Sequence, residues 1–391
     1  MKNWIKRYGI ILGIAVTGFN GLAQAARVDV DIDNDGLIEI YTAEELNAMR
    51  LSMNGSTFHD PSDNSQSSVG CFGDGSGTTA CQGFELMNDI DFDSNQNGQF
   101  DTSDLFWNGG EGWEPIGTFL SRFNAIFDGN FYRISNVTIH RPVSSGVGLF
   151  GYIDSNTEIR HLILDQFSVT AMGTAGMLVG WQEGGVIEKI QIKNAQLTLI
   201  GFEDLAGVSG GGSGGALIGV GTGGFISQVS VSGHLSCFYQ CGGIAGTLQD
   251  HSINDSSAST IVYNGDSDAS GLVGELRGSS TINRSFAFGK VFGLKSAWGI
   301  AKGGVINQSY WGIQATSQTT GSDGTLNDSE GLNTNELQCP TGPDDITCKP
   351  GSTLYDGWDD SIWNFGTGND FPNLQWTLDI GDLIYRNGFE N

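Results

Sequence analysis

Apolar residues along this chain come in short bursts, each four to six residues long and ringed by Gly, Ser, Asn and Asp. A surface helix would instead space them at i, i+3 and i+4. In "VIEKIQI", Val186, Ile187, Ile190 and Ile192 alternate in part with polar neighbours, so some side chains face inward and others outward. The bursts recur in a fixed order. A glycine motif ends at Gly151 ("GLFG"), Gly180 ("GMLVG"), Gly219 ("GALIG"), Gly246 ("GGIAG") and Gly274 ("GLVG"), with a degenerate copy, "GIAK", ending at Lys302. A second apolar segment follows most copies ("TEIRHLIL", "GVIEKIQI", "GFISQVSV", "STINRSFAF", "GVINQSYW"), and a third commonly precedes the next copy ("KNAQLTLI", "GKVFGL").

The copies are 29, 39, 27, 28 and 28 residues apart. A period in the range of about 20–50 residues signals a solenoid, a propeller or an array. Three short strands per period predict an all-β coil that stacks on itself, each turn rising about 4.8 Å and burying one continuous apolar column. A propeller blade would need four strands and roughly 40 residues or more, so a parallel β-helix is the preferred architecture. Glycine supplies 60 of the 391 residues without a collagen period, which fits corners where backbones approach closely. The additional residues of the 39-residue interval form "GFEDLAGVSGGGSGG" (201–215), read as a flexible glycine linker ahead of a binding loop.

The Gly-Leu-x-Gly copies resemble the GLUG motif of bacterial surface and secreted proteins, a repeat also found in some immunoglobulin A peptidases. The likeness extends to "DIDNDGLIEIYTAEELNAMR", "FELMNDIDFD" and "GWEPIGTFLSRFNAIFDGNFYRISNVTI" before the repeats. It continues through "SYWGIQATSQTTGSDG", "GLNTNELQ" and "IWNFGTGNDFPNLQW" after them. The resemblance implies a right-handed parallel β-helix displayed outside the cell and says little about a ligand.

Residues 1–25 join a basic head (Lys2, Lys6, Arg7), an apolar run and an Ala23-Gln24-Ala25 site, the pattern of a secretory signal peptide. Later apolar runs are short and broken by glycine, so no transmembrane segment is expected after its cleavage. The chain therefore divides into a signal peptide (1–25), an N-terminal opening segment (26–140), the repeat β-helix (141–310) and a C-terminal capping segment (311–391). Removing residues 1–25 moves the formal charge from -26 to about -29, a surface that repels nucleic acid and anionic membranes and attracts divalent cations. Six cysteines fall as three close pairs, 71 with 81, 237 with 241 and 339 with 348. In an exported chain an even count reads as disulfides, although fifteen pairings are formally possible. The tail 381–391 resembles the endings of some exported proteins, and an ordinary frayed terminus explains it equally well.

Two acidic loops lie in the opening segment. From Asp93, oxygen side chains fall at positions 1, 3, 5, 9 and 12 (Asp93, Asn95, Asn97, Asp101, Asp104), with Gly98 at 6 and the backbone carbonyl of Gln99 at 7. This is the ligand spacing of an EF-hand-type calcium loop. From Asp31 the pattern gives Asp31, Asp33, Asp35 and Glu39 but ends on Thr42, which with Glu45 forms a helix capping box instead. Without long flanking helices, such loops predict structural calcium rather than a sensor; a solvated acidic turn is the competing reading.

Sequence offers no catalytic constellation. The histidines (59, 140, 161, 234, 251) form no H-E-x-x-H, and no G-x-S-x-G elbow or P-loop is present. Outward Arg160, His161, Lys189 and Lys193 could serve a polysaccharide lyase or hydrolase, and Trp107, Trp113, Trp181, Trp298 and Trp311 could stack on sugars. Trp358, Trp363, Phe365, Phe371 and Trp376 read as a cap over the last coil. The sequence thus predicts a secreted or cell-surface adhesin-like protein that binds extracellular carbohydrate or a host or matrix surface. A polysaccharide lyase or glycoside hydrolase is the alternative, and a structural surface-layer role is third.

Overall fold

A computed structural model describes residues 29–71, 80–203, 209–210, 212–349 and 353–377. The signal-peptide segment, the tail 381–391 and part of the 201–215 insertion lie outside these. The described chain is mostly short strands with few helices, and its main sheets are parallel and solenoid-like. One column of strands runs through Leu37–Ile40, Gly83–Leu86, Ile126–Asp128, Glu158–Asp165, Val186–Leu199, Phe225–Ser227, Ser252–Asn254, Thr281–Asn283, Val305–Asn307 and Thr325–Asn327, each in parallel register with the next. The ladder thus begins ahead of position 140 and continues beyond 310. A full coil carries up to five strand segments, as in Ala245–Gln249, Ser252–Asn254, Ser257–Ala258, Ile261–Asn264 and Asp268–Ser270, where the sequence pattern predicts three. The extra segments are Ser- and Gly-rich and carry little hydrophobic signal.

The parallel register makes each coil repeat the chemistry of the one before. Ile38, Phe84, Phe127, Ile159, Ile187, Ile226, Ile253, Ile282 and Ile306 occupy one aligned inward position and are all buried. Burying each contributes roughly 1.5–3 kcal/mol. One residue after the strand column the chain turns a corner, and that residue is left-handed in successive coils. His161, Lys189, Gln228, Asp255, Arg284, Gln308 and Asp328 have φ between 44° and 53°. Such a conformation is costly for non-glycine residues and is held here by the paired strands that flank it.

The glycine motif has a steric cause. In the coil of "GGIAG", a Cβ on Gly242 would lie 2.2 Å from the Ala245 carbonyl oxygen, and one on Gly246 would lie 2.4 Å from the Gly214 nitrogen. Both ends of the motif therefore face backbone, while the apolar residues between them, such as Ile244 and Ala245, are fully buried. The degenerate copy "GIAK" is explained by a register shift: Val273 pairs with Ala301 but Glu275 pairs with Lys302, so the second glycine position is skipped. Lys302 then reaches Asp268 Oδ2 at 2.8 Å.

In the C-terminal half the corner carries an Asn-x-Ser signature. Asn283 Nδ2 donates to Asn254 Oδ1 (2.8 Å), Asn307 to Asn283 (2.7 Å) and Asn327 to Asn307 (2.8 Å). Two residues on, the Ser256, Ser285 and Ser309 backbone N–H groups each donate to the hydroxyl of the next coil's serine at 3.0–3.1 Å. The hydroxyls stand in for carbonyl acceptors that the corner turns away.

The helix Ala43–Ala48 begins at Thr42 with the expected capping box. The cysteines pair locally, Cys71–Cys81, Cys237–Cys241 and Cys339–Cys348. Inside the 201–215 insertion, Phe202–Glu203 pairs antiparallel with Ser209–Gly210.

The C-terminal aromatics do not sit over the last coil alone. They form a strap along the flank: Trp358 Nε1 donates to the Gln308 carbonyl (2.9 Å), Trp363 Nε1 to Asp255 Oδ1 (3.3 Å), Phe371 stacks on Phe288 (4.5 Å) and Trp376 meets Phe131 (5.6 Å). Near the last coils, Trp311 is buried with its ring against Gly299, Gly321 and Gly331, and its Nε1 donates to the Gln318 carbonyl (3.0 Å).

Two stability predictions follow from the stacking. Gly246→Ala should destabilise by roughly 1–3 kcal/mol through overpacking, whereas Gly265→Ala, whose Cβ would meet nothing closer than 3.4 Å, should change little; urea unfolding compares them. Ser285→Ala strands the buried Ser256 N–H and should cost roughly 1–3 kcal/mol in the same assay.

Candidate functional site

One position of the strand column, which from Arg160 onward directly precedes the left-handed corner, changes character along the molecule. It reads Glu39, Glu85, Asp128, Arg160, Glu188, Ser227, Asn254, Asn283, Asn307 and Asn327, one side chain per coil in direct register. The amide end stabilises itself by donating to the next oxygen. Three stacked carboxylates at the other end cannot do so and need outside partners. Asp128 has them: Arg160 Nε lies 2.6 Å from Oδ2 and His161 Nδ1 3.1 Å from Oδ1. Burial works against the charge on Asp128, but His161, Arg160 and the Asn130 N–H hold its pKa below the ordinary value. Arg160 also bonds Glu158. Glu85 has only a neutral donor, Asn130 Nδ2, on Oε2 (2.5 Å), and burial pushes its carboxyl up to about 7.

The first acidic loop folds against this end. Asp31 accepts the Asp35 and Gly36 N–H groups on its two oxygens (3.0 and 3.1 Å), Asp33 accepts Asp35 N–H (3.2 Å), and Glu39 Oε1 accepts Ile32 N–H (2.6 Å). Among the described residues, two groups of three carboxylates gather with ligand atoms within 4.8 Å of one another: Asp31, Asp33 and Asp35, and Asp33, Glu39 and Glu85. The four side chains named from the sequence are thus brought together, with Glu85 added to them. Sequence spacing missed Glu85 because it lies a full coil from the loop. Its only signal was that "LIEI" and "FEL" both place a glutamate between apolar residues.

The second loop forms the same turn network as the first. Asp93 accepts Asn97 and Gly98 N–H groups (3.2 and 2.7 Å), Asn95 Oδ1 accepts Asn97 N–H (2.9 Å) and Asn97 Oδ1 accepts Gln99 N–H (2.7 Å). Asn97 Nδ2 donates to Asp101 Oδ2 (2.8 Å), and Asp104 Oδ2 accepts Asp101 N–H (2.7 Å). Its carboxylates form no group of three at 4.8 Å, although Asp104 Oδ1 is buried without a hydrogen-bond partner. Asp93, Gln99 and Asp104 line a cleft of about 170 Å³ shared with Asn136 and Gln166.

The tryptophans divide. Trp113 and Trp311 are buried and serve packing; Trp107 leans on Phe100 (4.6 Å), and Trp298 is half-buried. Trp181 differs: it stacks on Tyr152 of the adjacent strand (6.5 Å, 20°), and Tyr152 meets Phe119 edge-on (6.1 Å). Phe119 is 64% exposed and Leu120 92% exposed, while Arg122 lies over the Phe119 ring and pairs with Glu183 (2.5 Å). Tyr152 and Trp181 thus stack on neighbouring strands of the sheet built by the glycine motifs, and Phe119 extends the row from an adjoining bend.

Among the described residues no helix is long and apolar enough to cross a membrane. No protein-family model matches the chain. It is similar to halomucin from Haloquadratum walsbyi, with 36% identity over 107 residues, 27% of this chain and 1% of that protein. It is also similar to a "Putative Gly-rich membrane protein" from Evansella cellulosilytica, with 41% identity over 88 residues, 22% of this chain and 10% of that protein. The chain therefore matches only a small fraction of either relative's length. A solved structure from Bacteroides ovatus, described as a "putative immunoglobulin A1 protease", superposes with a TM-score of 0.53 at 16% identity, covering 87% of this chain and 92% of that one. This likeness speaks to the fold: an all-β, parallel arrangement. With the disulfides, the relatives' names give a weak indication of an extracellular or cell-surface setting.

One histidine yields a pH prediction. His251 is buried, its Nε2 lies 3.0 Å from Gln182 Oε1, and burial lowers its pKa to about 4. The folded value lies below the unfolded one, so stability is full above about 6.5 and is lost as pH falls toward 4, by at most roughly 3 kcal/mol. Melting temperature across that window should drop in the wild type and flatten in His251→Asn.

Proposed function

We propose that the chain is a secreted or cell-surface bacterial binding protein, adhesin-like, built as a right-handed parallel β-helix of the GLUG-repeat kind. Its ligand is extracellular carbohydrate or a host or matrix surface, and calcium held by the loops at residues 31–39 and 93–104 stabilises the fold. The observation that carries the binding reading is the pair of Tyr152 and Trp181, stacked on neighbouring strands, with Phe119 edge-on beside Tyr152 from an adjoining bend: exposed ring surface in a row suits the apolar faces of sugar units. Three local disulfides and the relatives' names, halomucin and a "Putative Gly-rich membrane protein", support an extracellular setting. For the loops, the support is their spacing and the gathered carboxylates of the first, which suit a hard cation.

The test is retention of purified mature protein on immobilised acidic and neutral polysaccharides, with calcium or chelator, while released fragments are recorded. Retention without fragments is expected, and Trp181→Ala should weaken it about tenfold, the equivalent of roughly 1.4 kcal/mol. Fragments accumulating with time would replace this reading with a polysaccharide lyase or hydrolase. Equal retention of wild type and Trp181→Ala would remove the aromatic row from the argument.

A further inference from the structure

We propose that Glu85 is a calcium ligand, and that with Asp33 and Glu39 it forms a bridging cation site that fastens the N-terminal loop to the first two coils of the solenoid. The inference rests on the calcium reading above and adds a ligand from outside either loop, supplying a carboxylate where the first loop has Thr42.

The geometry begins with register. Glu39 and Glu85 are directly opposed on adjacent parallel strands, and Asp128 is next in line. Neighbouring strands stand about 4.8 Å apart, and like charges opposed at that distance repel. Along the same column the protein answers this problem twice: asparagines donate to one another at the far end, and Arg160 and His161 pair with Asp128. Arg160 is engaged by Asp128 and Glu158, and Glu39 and Glu85 meet Asp33 of the loop with ligand atoms within 4.8 Å of one another.

A second observation points to a ligand. Glu85 is only 4% exposed, and its Oε1 is buried with no hydrogen-bond partner, while Oε2 is taken by Asn130. A buried carboxylate oxygen without a donor is costly unless something positive meets it. Asp33, by contrast, is exposed at the mouth of the cluster and leaves a route for an ion from solvent. Three carboxylates from a loop and two strands form an all-oxygen set with freedom in coordination number, which suits calcium over softer metals.

The function of such a site is mechanical. Asp33 belongs to the irregular loop, Glu39 to the first strand and Glu85 to the strand a coil later, so one ion ties three segments that otherwise repel. Its release would free the N-terminal end, where the inward apolar column begins at Ile38.

Calorimetric titration of chelator-stripped mature protein with calcium chloride tests this, comparing wild type with Glu85→Gln, Asp33→Asn and Asp104→Asn. Gln keeps the Asn130 contact and removes charge, so the metal-free fold is not put at risk; Asp33 is exposed and its change is equally mild. The expected result is that Glu85→Gln and Asp33→Asn each weaken the same binding event by at least the roughly tenfold that loss of even an outer-shell partner causes. Asp104→Asn should leave that event in place. If Glu85→Gln binds like wild type while Asp33→Asn is weakened, the bridge is overturned and the loop alone holds calcium. If wild type takes up no calcium, the calcium reading fails and the bridge with it.

Discussion

Everything in this molecule follows from one constraint: strands stacked in parallel register place the same position of every coil directly above its predecessor, about 4.8 Å away. A residue type is therefore tested against itself or its near equivalent again and again. Isoleucine succeeds at the inward position because a β-branched side chain stacks on another without leaving a void. Glycine is required at both ends of the repeat motif because backbone of the same or the adjacent coil occupies the space a Cβ would fill. Asparagine succeeds before the corner because its amide carries both a donor and an acceptor, so a column of them satisfies itself.

That rule also decides what was legible in the sequence. The glycine spacing and the apolar bursts report a per-coil constraint, so the solenoid class could be read from them, as could the capping box at Thr42 and Glu45. The Asn-x-Ser signature was equally periodic but polar, and a reading led by hydrophobic pattern passed over it. Position across coils was not legible: Glu85 reaches the first loop from 46 residues beyond Glu39, a neighbourhood created only by register. Within a loop, spacing suggested the second site as the complete one; both loops fold into the same turn network, and the first gathers more carboxylates because Glu85 joins it from the next coil. The aromatic tail was read as a cap over the last coil because its composition is that of a small core. Its contacts with Gln308, Asp255, Phe288 and Phe131 make it a strap along the corners.

The two ends of the polar column solve the same electrostatic problem with different means, and the difference separates their roles. The amide end needs nothing from solvent; it is capped by serine hydroxyls, and the strap crosses the corner beside it through Asp255, which also pairs with Arg284 at 2.8 Å on both oxygens. The acidic end gathers Glu39, Glu85 and Asp33 beside a loop rich in further acids, and Glu85 Oε1 is buried there without a hydrogen-bond partner. A chain that needed only rigidity could have continued the asparagine ladder to its N-terminal coils at no electrostatic cost. Under the bridge proposed above, carboxylates there would make the first coils conditional on a cation, whereas the amide end is self-sufficient.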